Sequence, residues 1–276
     1  MINATGNRMT QEIARQSRLA SQIGIKQSQV STGKRIQRAS DDPVATSRIA
    51  ELNRAQTNDS ARGRNISLGI TLASQADGEL RNVSNLVARA QELAVAGSSS
   101  SLSSDSRVTI ALELRAIADE IDAASAVKSP TGEALFPNNI ANAIRFDDDV
   151  AFAPVGTRQE IFETGGVAIS QIMRDAATAI EAGDITATGV SLTAIGASVN
   201  HVATAQAEIG INAARLDRIQ DRAAQRAITV TEERSKLEDT DLTTAIAELN
   251  GMTLTLEAAQ AAFARINRRT LMDFLT

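Results

Sequence analysis

Cysteine, tryptophan and tyrosine are all absent from this 276-residue chain, and His201 is its one histidine. Without thiols there is no disulfide framework and no thiolate metal site, although the redox compartment stays open. Aromatic residues amount to 2%. A thick core built on large rings is therefore excluded, and thin helical layers of Ala, Leu, Ile and Val are favoured. Single-stranded nucleic acid finds no stacking platform, and a net charge of −5 supplies no basic footprint for a duplex. No apolar run reaches the length of a membrane-spanning helix, so no membrane insertion is expected. Arg8, Glu12, Arg15, Arg18 and Lys26 interrupt anything that could serve as the apolar region of a cleavable signal. Of the four prolines, none follows Pro154, which permits helices of about 40 residues downstream. A hydrophobic content of 43% rules out general disorder.

What is present is helical periodicity, clearest at the C-terminal end. Leu242, Ile246, Leu249, Leu256 and Phe263 recur at spacings of four, three, seven and seven, with Ile266 beyond them. That is a narrow apolar seam, which cannot build a globular core and needs a partner helix. The first thirty residues offer one. Ile2, Met9, Ile23 and Val30 share a seven-residue spacing interrupted by Gln16, with Ile13 and Ala20 beside the line. The two chain ends are thus expected to be matched helices that pair, with a thicker bundle between them.

Residues 3–30 read as an amphipathic helix weakened at Gly6 and Gly24 by roughly 1 kcal/mol each relative to Ala. In the following loop, Gly33, Lys34 and Arg35 precede Asp41, Asp42 and Pro43. Asp42 suits an N-cap and Pro43 a first helical position, and both aspartates favour the positive end of a helix dipole. Taken alone this is an ordinary capped loop. Ile66, Ile70, Ala73, Leu80, Val83, Val87 and Ala94 mark the next helical stripe, to about residue 97, with Gly63 and Gly69 as possible bends. A serine-rich turn at 97–104 leads, with Ser104 or Asp105 as cap, to a helix carrying Ile110, Leu114, Ile117, Ile121 and Ala124.

Three prolines and four phenylalanines fall at about 129–165, which reads as a small irregular, β-containing insertion on the side of the bundle. Helix resumes near Val167, pauses at Gly183-Asp184 and runs from about 188 to 236 with Ile195, Val202, Ile209 and Leu216 at sevens. Asp241 can cap the terminal helix. The expected fold is mainly α: a long antiparallel helical bundle with terminal coiled-coil helices. Residues 1–42 with 237–276 form an inner terminal-helix domain. Residues 43–236 form an outer helical bundle that includes the insertion.

Signs of catalysis are missing from the sequence. It carries no Gly-rich phosphate loop, HExxH or nucleophile elbow. Asp147-Asp148-Asp149 lacks the spaced oxygens and closing Glu of a calcium loop and reads as a solvated turn. His201 beside Val202 reads as a helix-surface histidine. No catalytic, cofactor-binding or metal residue is expected, no cofactor is required, and an interaction or structural protein leads over an enzyme. A signalling or membrane-surface coiled coil would need a basic amphipathic face that the pattern does not display.

The segment STGKRIQRASDDPVATSRIAELNRAQ closely resembles the N-terminal signature of the flagellin superfamily, and its SDDP form is most similar to that of the superfamily's hook–filament junction branch. LVARAQELAVAGSSSSLSSDSR resembles the superfamily's helix–turn–helix segment. AQAEIGINAARLDRIQ and LEDTDLTTAIAELNGMTLTLEAAQAAFARI resemble its C-terminal half, and Thr270–Leu275 resembles the branch's chain end. The resemblance covers about residues 1–128 and 165–276.

The resemblance implies terminal helices in an inner coiled-coil layer around a narrow channel, with the middle helices outside. It implies export without a cleaved signal through the flagellar export apparatus, with an export chaperone holding the C-terminal region. The expected location therefore moves from a default cytoplasmic one to the extracellular bacterial flagellum. It further implies assembly with copies of itself as a ring between the hook-side junction protein and flagellin, with filament-forming flagellin as the alternative. The expected assembly interface is Ile2, Met9, Ile13, Ile23, Val30, Leu242, Ile246, Leu249, Leu256, Phe263, Ile266, Leu271, Phe274 and Leu275. The expected inter-layer joint is Gly33, Lys34, Arg35, Asp41, Asp42 and Pro43.

Overall fold

The structure, a computed structural model, describes the backbone of residues 2–275 and the side chains of residues 9–265. The described residues form helices α1 (Ile2–Thr32), α2 (Pro43–Gly97), α3 (Ser104–Ser125), α4 (Arg158–Phe162), α5 (Ile169–Ala182), α6 (Ile185–Glu238) and α7 (Leu242–Leu275). Two antiparallel ribbons, β1 (Ile144–Asp147) with β2 (Val150–Phe152) and β3 (Glu163–Thr164) with β4 (Val167–Ala168), occupy the insertion. Two compact units result, one from residues 1–57 and 226–276, the other from residues 58–225.

Local chemistry sets the helix ends. Asp42 Oδ1 accepts from the Ala45 amide at 3.0 Å, so α2 begins at Pro43 with the expected cap. Asp184 accepts from the amides of Thr186 and Ala187, which starts α6 three residues earlier than its apolar pattern suggests. Gly183 ends α5 in the left-handed region at φ 72°, and the Asp184 amide reaches back to the Ala179 carbonyl at 3.0 Å. The cap of α3 is Ser103, ahead of the expected Ser104 or Asp105, because its hydroxyl is the one that reaches the Ser106 amide.

In the unit of residues 58–225, the stripe on α2 packs against α3, α5 and α6. Leu80, Val83, Val87 and Ala94 of α2 and Leu114 and Ile121 of α3 are fully enclosed. So are Ile169, Met173 and Ile180 of α5 and Ile195, Val202 and Leu216 of α6. Each such Val, Leu, Ile or Met side chain stabilises the fold by about 1.5–3 kcal/mol relative to exposure. The small insertion of short antiparallel strands is present as expected, and its rings reach into the bundle. Phe136, Phe146 and Phe162 are buried within the same core. Gly69 makes room for one of them: a Cβ there would stand 2.7 Å from Phe146 Cε1. The β1–β2 ribbon is held by Asn65, whose amide donates to the Arg145 carbonyl at 2.8 Å, and by Arg215 stacked 4.2 Å over Phe152. Asp147 and Asp148 pair with Arg62, so the triple-aspartate turn is tied to α2 rather than only solvated.

A candidate assembly interface on the terminal helices

In the unit of residues 1–57 and 226–276, the residues expected at the joint lie in the α1–α2 connection, which is bonded to the α6–α7 connection. Gly33, at φ 69°, turns the chain out of α1. Its carbonyl accepts from the Thr240 amide at 2.8 Å, and the Arg35 amide donates to the Glu238 carbonyl at 2.7 Å. Lys34 Nζ lies 2.5 Å from Glu238 Oε1, and Arg35 donates both to the Leu237 carbonyl and to Asp42.

Asp41 and Asp42 divide the work around Pro43. Asp41 Oδ2 accepts from the Gln37 and Arg38 amides, closing the loop on itself, while Asp42 caps α2. Backbone donors hold both carboxyls below the usual range, from Arg38 and Gln37 at Asp41 and from Ala45 at Asp42. Asp241 caps α7 through the hydroxyl and amide of Thr244 and the amide of Thr243, and its carboxyl is lowered by the same bonds. Beyond the loop, Arg48 bridges Glu51 and Glu233, linking α2 to α6; Glu233 is lowered and Arg48 raised by their mutual bond.

From this joint α1 and α7 run antiparallel, as the Lys34–Asp239 bridge and the Lys26–Glu248 ion pair at 2.6 Å show. Ile23 of α1 and Ala245 of α7 are buried, and Leu19, Val30, Leu249, Met252, Leu256, Ala259 and Phe263 are half-buried. The covered line on α7 thus starts at Ala245 and not at Leu242 and Ile246, which are 46% and 45% exposed. The Asp241 cap and the bonded connections set the rotation of the first turn, and a small Ala245 lets the two helices approach. Gln16 interrupts the α1 line as its sequence position implies, and its Nε2 is enclosed without a partner.

The expected interface residues therefore separate into two sets. Ile23, Val30, Leu249, Leu256 and Phe263 lie on covered sides, whereas Met9, Ile13, Leu242 and Ile246 are exposed. Ile25 and Leu254, at 56% and 68% exposure, join the exposed set and were not expected. Only a search for apolar residues off the heptad line would have found them. Ile2, Ile266, Leu271, Phe274 and Leu275 have side chains outside the described residues. The α1–α7 pair thus leaves several large apolar side chains uncovered.

Among the described residues no cluster of His, Cys, Asp or Glu could hold a metal ion, and no helix is long and apolar enough to cross a membrane. His201 is half-buried, with an enclosed Nε2 that meets no hydrogen-bond partner.

A family profile described as the bacterial flagellin N-terminal helical region matches residues 3–141, and one for the bacterial flagellin C-terminal helical region matches residues 192–275. The flagellar hook-associated protein 3 of Escherichia coli K12 is 25% identical over 89% of this chain and 90% of its own length. A flagellin of Listeria innocua is 22% identical over 89% of this chain and 88% of its own. Among solved structures, one described as a flagellar hook-associated protein from Vibrio parahaemolyticus aligns with TM-score 0.67 at 20% identity, covering 72% of this chain and all of that one. Xanthomonas campestris FlgL aligns with TM-score 0.60 at 15% identity over 67% of this chain and 99% of that one, and both likenesses show the fold.

Proposed function

The chain belongs to the bacterial flagellin family, and on that premise we propose that it is the hook–filament junction subunit of the flagellum. In this reading copies of the chain assemble as a ring that adapts the hook-side junction protein to flagellin. The observation that carries it is the similarity to hook-associated protein 3 along nine-tenths of both chains, together with the SDDP loop at residues 40–43.

The exposed apolar residues Met9, Ile13, Leu242, Ile246 and Leu254 support assembly through the terminal helices. Burying each residue of this kind against a neighbour contributes about 1.5–3 kcal/mol, repeated around a ring. Residues 1–42 with 237–276 would then form the inner layer and 43–236 the outer, with Gly33–Pro43 as the joint between them. The subunit would leave the cell through the export apparatus, its C-terminal region held by a chaperone, and end outside the cell in the flagellum. Its role is structural and not enzymatic.

The similarity to Listeria flagellin over a comparable length keeps a short filament flagellin as the second reading. Immunogold electron microscopy of isolated flagella separates the two. A label confined to the hook–filament boundary supports the junction role, and a label along the filament overturns it. Purified monomer that polymerises alone into long filaments would likewise favour flagellin.

A further inference from the structure

A cavity of about 340 Å³ opens within the unit of residues 58–225, between the end of α3, the chain at Asn138 and Asn139, α4 and the start of α5. Its size stands at the small end of ligand pockets, which run from about 300 to 1,000 Å³. Only Ile121, Phe162 and Ala168 of its eleven lining residues are apolar. The cavity therefore suits a polar guest and not a hydrocarbon one.

Each wall is held without help from a ligand. Arg174 of α5 donates to Asp119 at 2.9 Å and to Asp122 at 2.6 Å, tying α5 to α3. The Arg158 amide donates to the Pro137 carbonyl at 2.8 Å, which sets the loop at Asn138 and Asn139 against α4. A capping box between Thr157 and Glu160 fixes the start of α4, and Phe162 meets Phe136 edge-on at 5.0 Å. Glu163 and Ala168 face each other across the β3–β4 ribbon. A site held in this way loses little freedom when it is filled.

The polar groups inside divide into spent and free. Ser125 and Ser170 are buried, and their hydroxyls donate to the Asp122 carbonyl and carboxylate respectively. Burial raises the Asp122 carboxyl, but the bonds from Ser170 and Arg174 outweigh it and hold the group below the usual range. It is thus an ionised acceptor at neutral pH. By contrast, the side chains of Asn138, Asn139, Arg158, Gln159 and Glu163 make no hydrogen bond or ion pair among the described residues.

Three amides and a guanidinium supply donors, while the amide oxygens, Glu163 and Asp122 supply acceptors. A hydroxyl is both donor and acceptor, so a molecule bearing several neighbouring hydroxyls satisfies such a mixed set. The carboxylates of Asp122 and Glu163 oppose an anion, and Arg158 and Arg174 oppose a cation. Ile121 and Phe162 give the carbon face of a ring an apolar contact.

We propose that this cavity is a binding site for a neutral saccharide, recognised through Asn138, Asn139, Arg158 and Glu163. The site lies wholly within the unit of residues 58–225 and is independent of assembly through the terminal helices. It holds for a junction subunit and for a filament flagellin alike.

The test is ligand-observed NMR titration of the full-length monomer with the methyl glycosides of glucose, galactose, mannose and N-acetylglucosamine. Inorganic phosphate and glycine serve as anionic and zwitterionic comparisons. At least one glycoside should bind with a Kd of about 1 mM or tighter. Arg158→Ala, Asn139→Ala and Glu163→Gln should each weaken that binding at least about tenfold. Their melting temperatures should stay at the wild-type value, since these side chains bond nothing in the fold. Arg64→Ala, at an exposed residue outside the cavity, should leave binding unchanged. No binding of any of the glycosides, tighter binding of phosphate or glycine, or an affinity that survives all three substitutions would each overturn the proposal.

Discussion

The Arg35 backbone amide donates to the Glu238 carbonyl across 2.7 Å, joining positions about two hundred residues apart in the chain. With the Gly33–Thr240 bond beside it, this contact makes the two connections into and out of the terminal helices one structural piece. Gly33 allows it, because its φ of 69° is a conformation that L side chains resist. No atom lies near an added Cβ there, so Gly33→Ala should cost only the backbone strain, about 1–2 kcal/mol. Proteolysis should then rise within residues 33–42 while the unit of residues 58–225 keeps its melting temperature. Gly33→Asn should cost less, since Asn tolerates the left-handed region.

Two glycines of α2 should respond oppositely to alanine. A methyl at Gly69 meets the Phe146 ring, and overpacking of this kind costs about 1–3 kcal/mol. Gly63 has open space around it, so Gly63→Ala should stabilise by about 0.5–1 kcal/mol through helix propensity alone. Urea denaturation of both variants checks the sign of each. Phe146→Leu should recover part of the Gly69→Ala loss and none of the Gly63→Ala gain.

Acid should loosen the joint. Asp41, Asp42 and Asp241 have carboxyls lowered in the folded state by the amides and hydroxyl they accept from. A lowered folded value means that the stabilisation is complete above the unfolded carboxyl value of about 3.9. It is lost as pH falls through the folded value. Stability of the unit of residues 1–57 and 226–276 should therefore be flat above about pH 5 and decline below about pH 4. Replacing all three aspartates by Asn should flatten that decline, read by proteolysis of the connections as a function of pH.

Exposed and covered apolar positions of the terminal helices should part ways when charged. Ile13→Asp and Ile246→Asp fall on exposed sites, so monomer stability should change by less than about 0.5 kcal/mol. Assembly at the hook tip should nevertheless fail, and flagellin should appear in the medium. Ile23→Asp places a carboxylate at a buried site and should unfold the α1–α7 pair itself, at a cost of several kcal/mol. Circular dichroism of the monomers and motility of the corresponding strains give the two readouts.

Much of this molecule is legible one residue at a time. The capping side chains Asp42 and Asp241, the stop at Gly183 and the heptad of Ile195, Val202, Ile209 and Leu216 are local patterns. A helix reads them from its own turn and from the neighbouring one, so spacing alone locates them. The SDDP loop and the chain-end helices carry the family in the same local way.

Rotation and long-range contact were decided only in three dimensions. Whether Leu242 or Ala245 faces α1 differs by a rotation that the apolar spacing does not settle. The bonded pair of connections settles it. Gly69 looks like a bend in the sequence and is instead the seat of Phe146, a ring from a segment with no helical period to announce it. The pairing of Glu113 with Arg89 likewise depends on which arginine α2 brings opposite it. Hydrophobic periodicity says which residues seek burial; only the packed neighbours determine which side they meet and what is left uncovered.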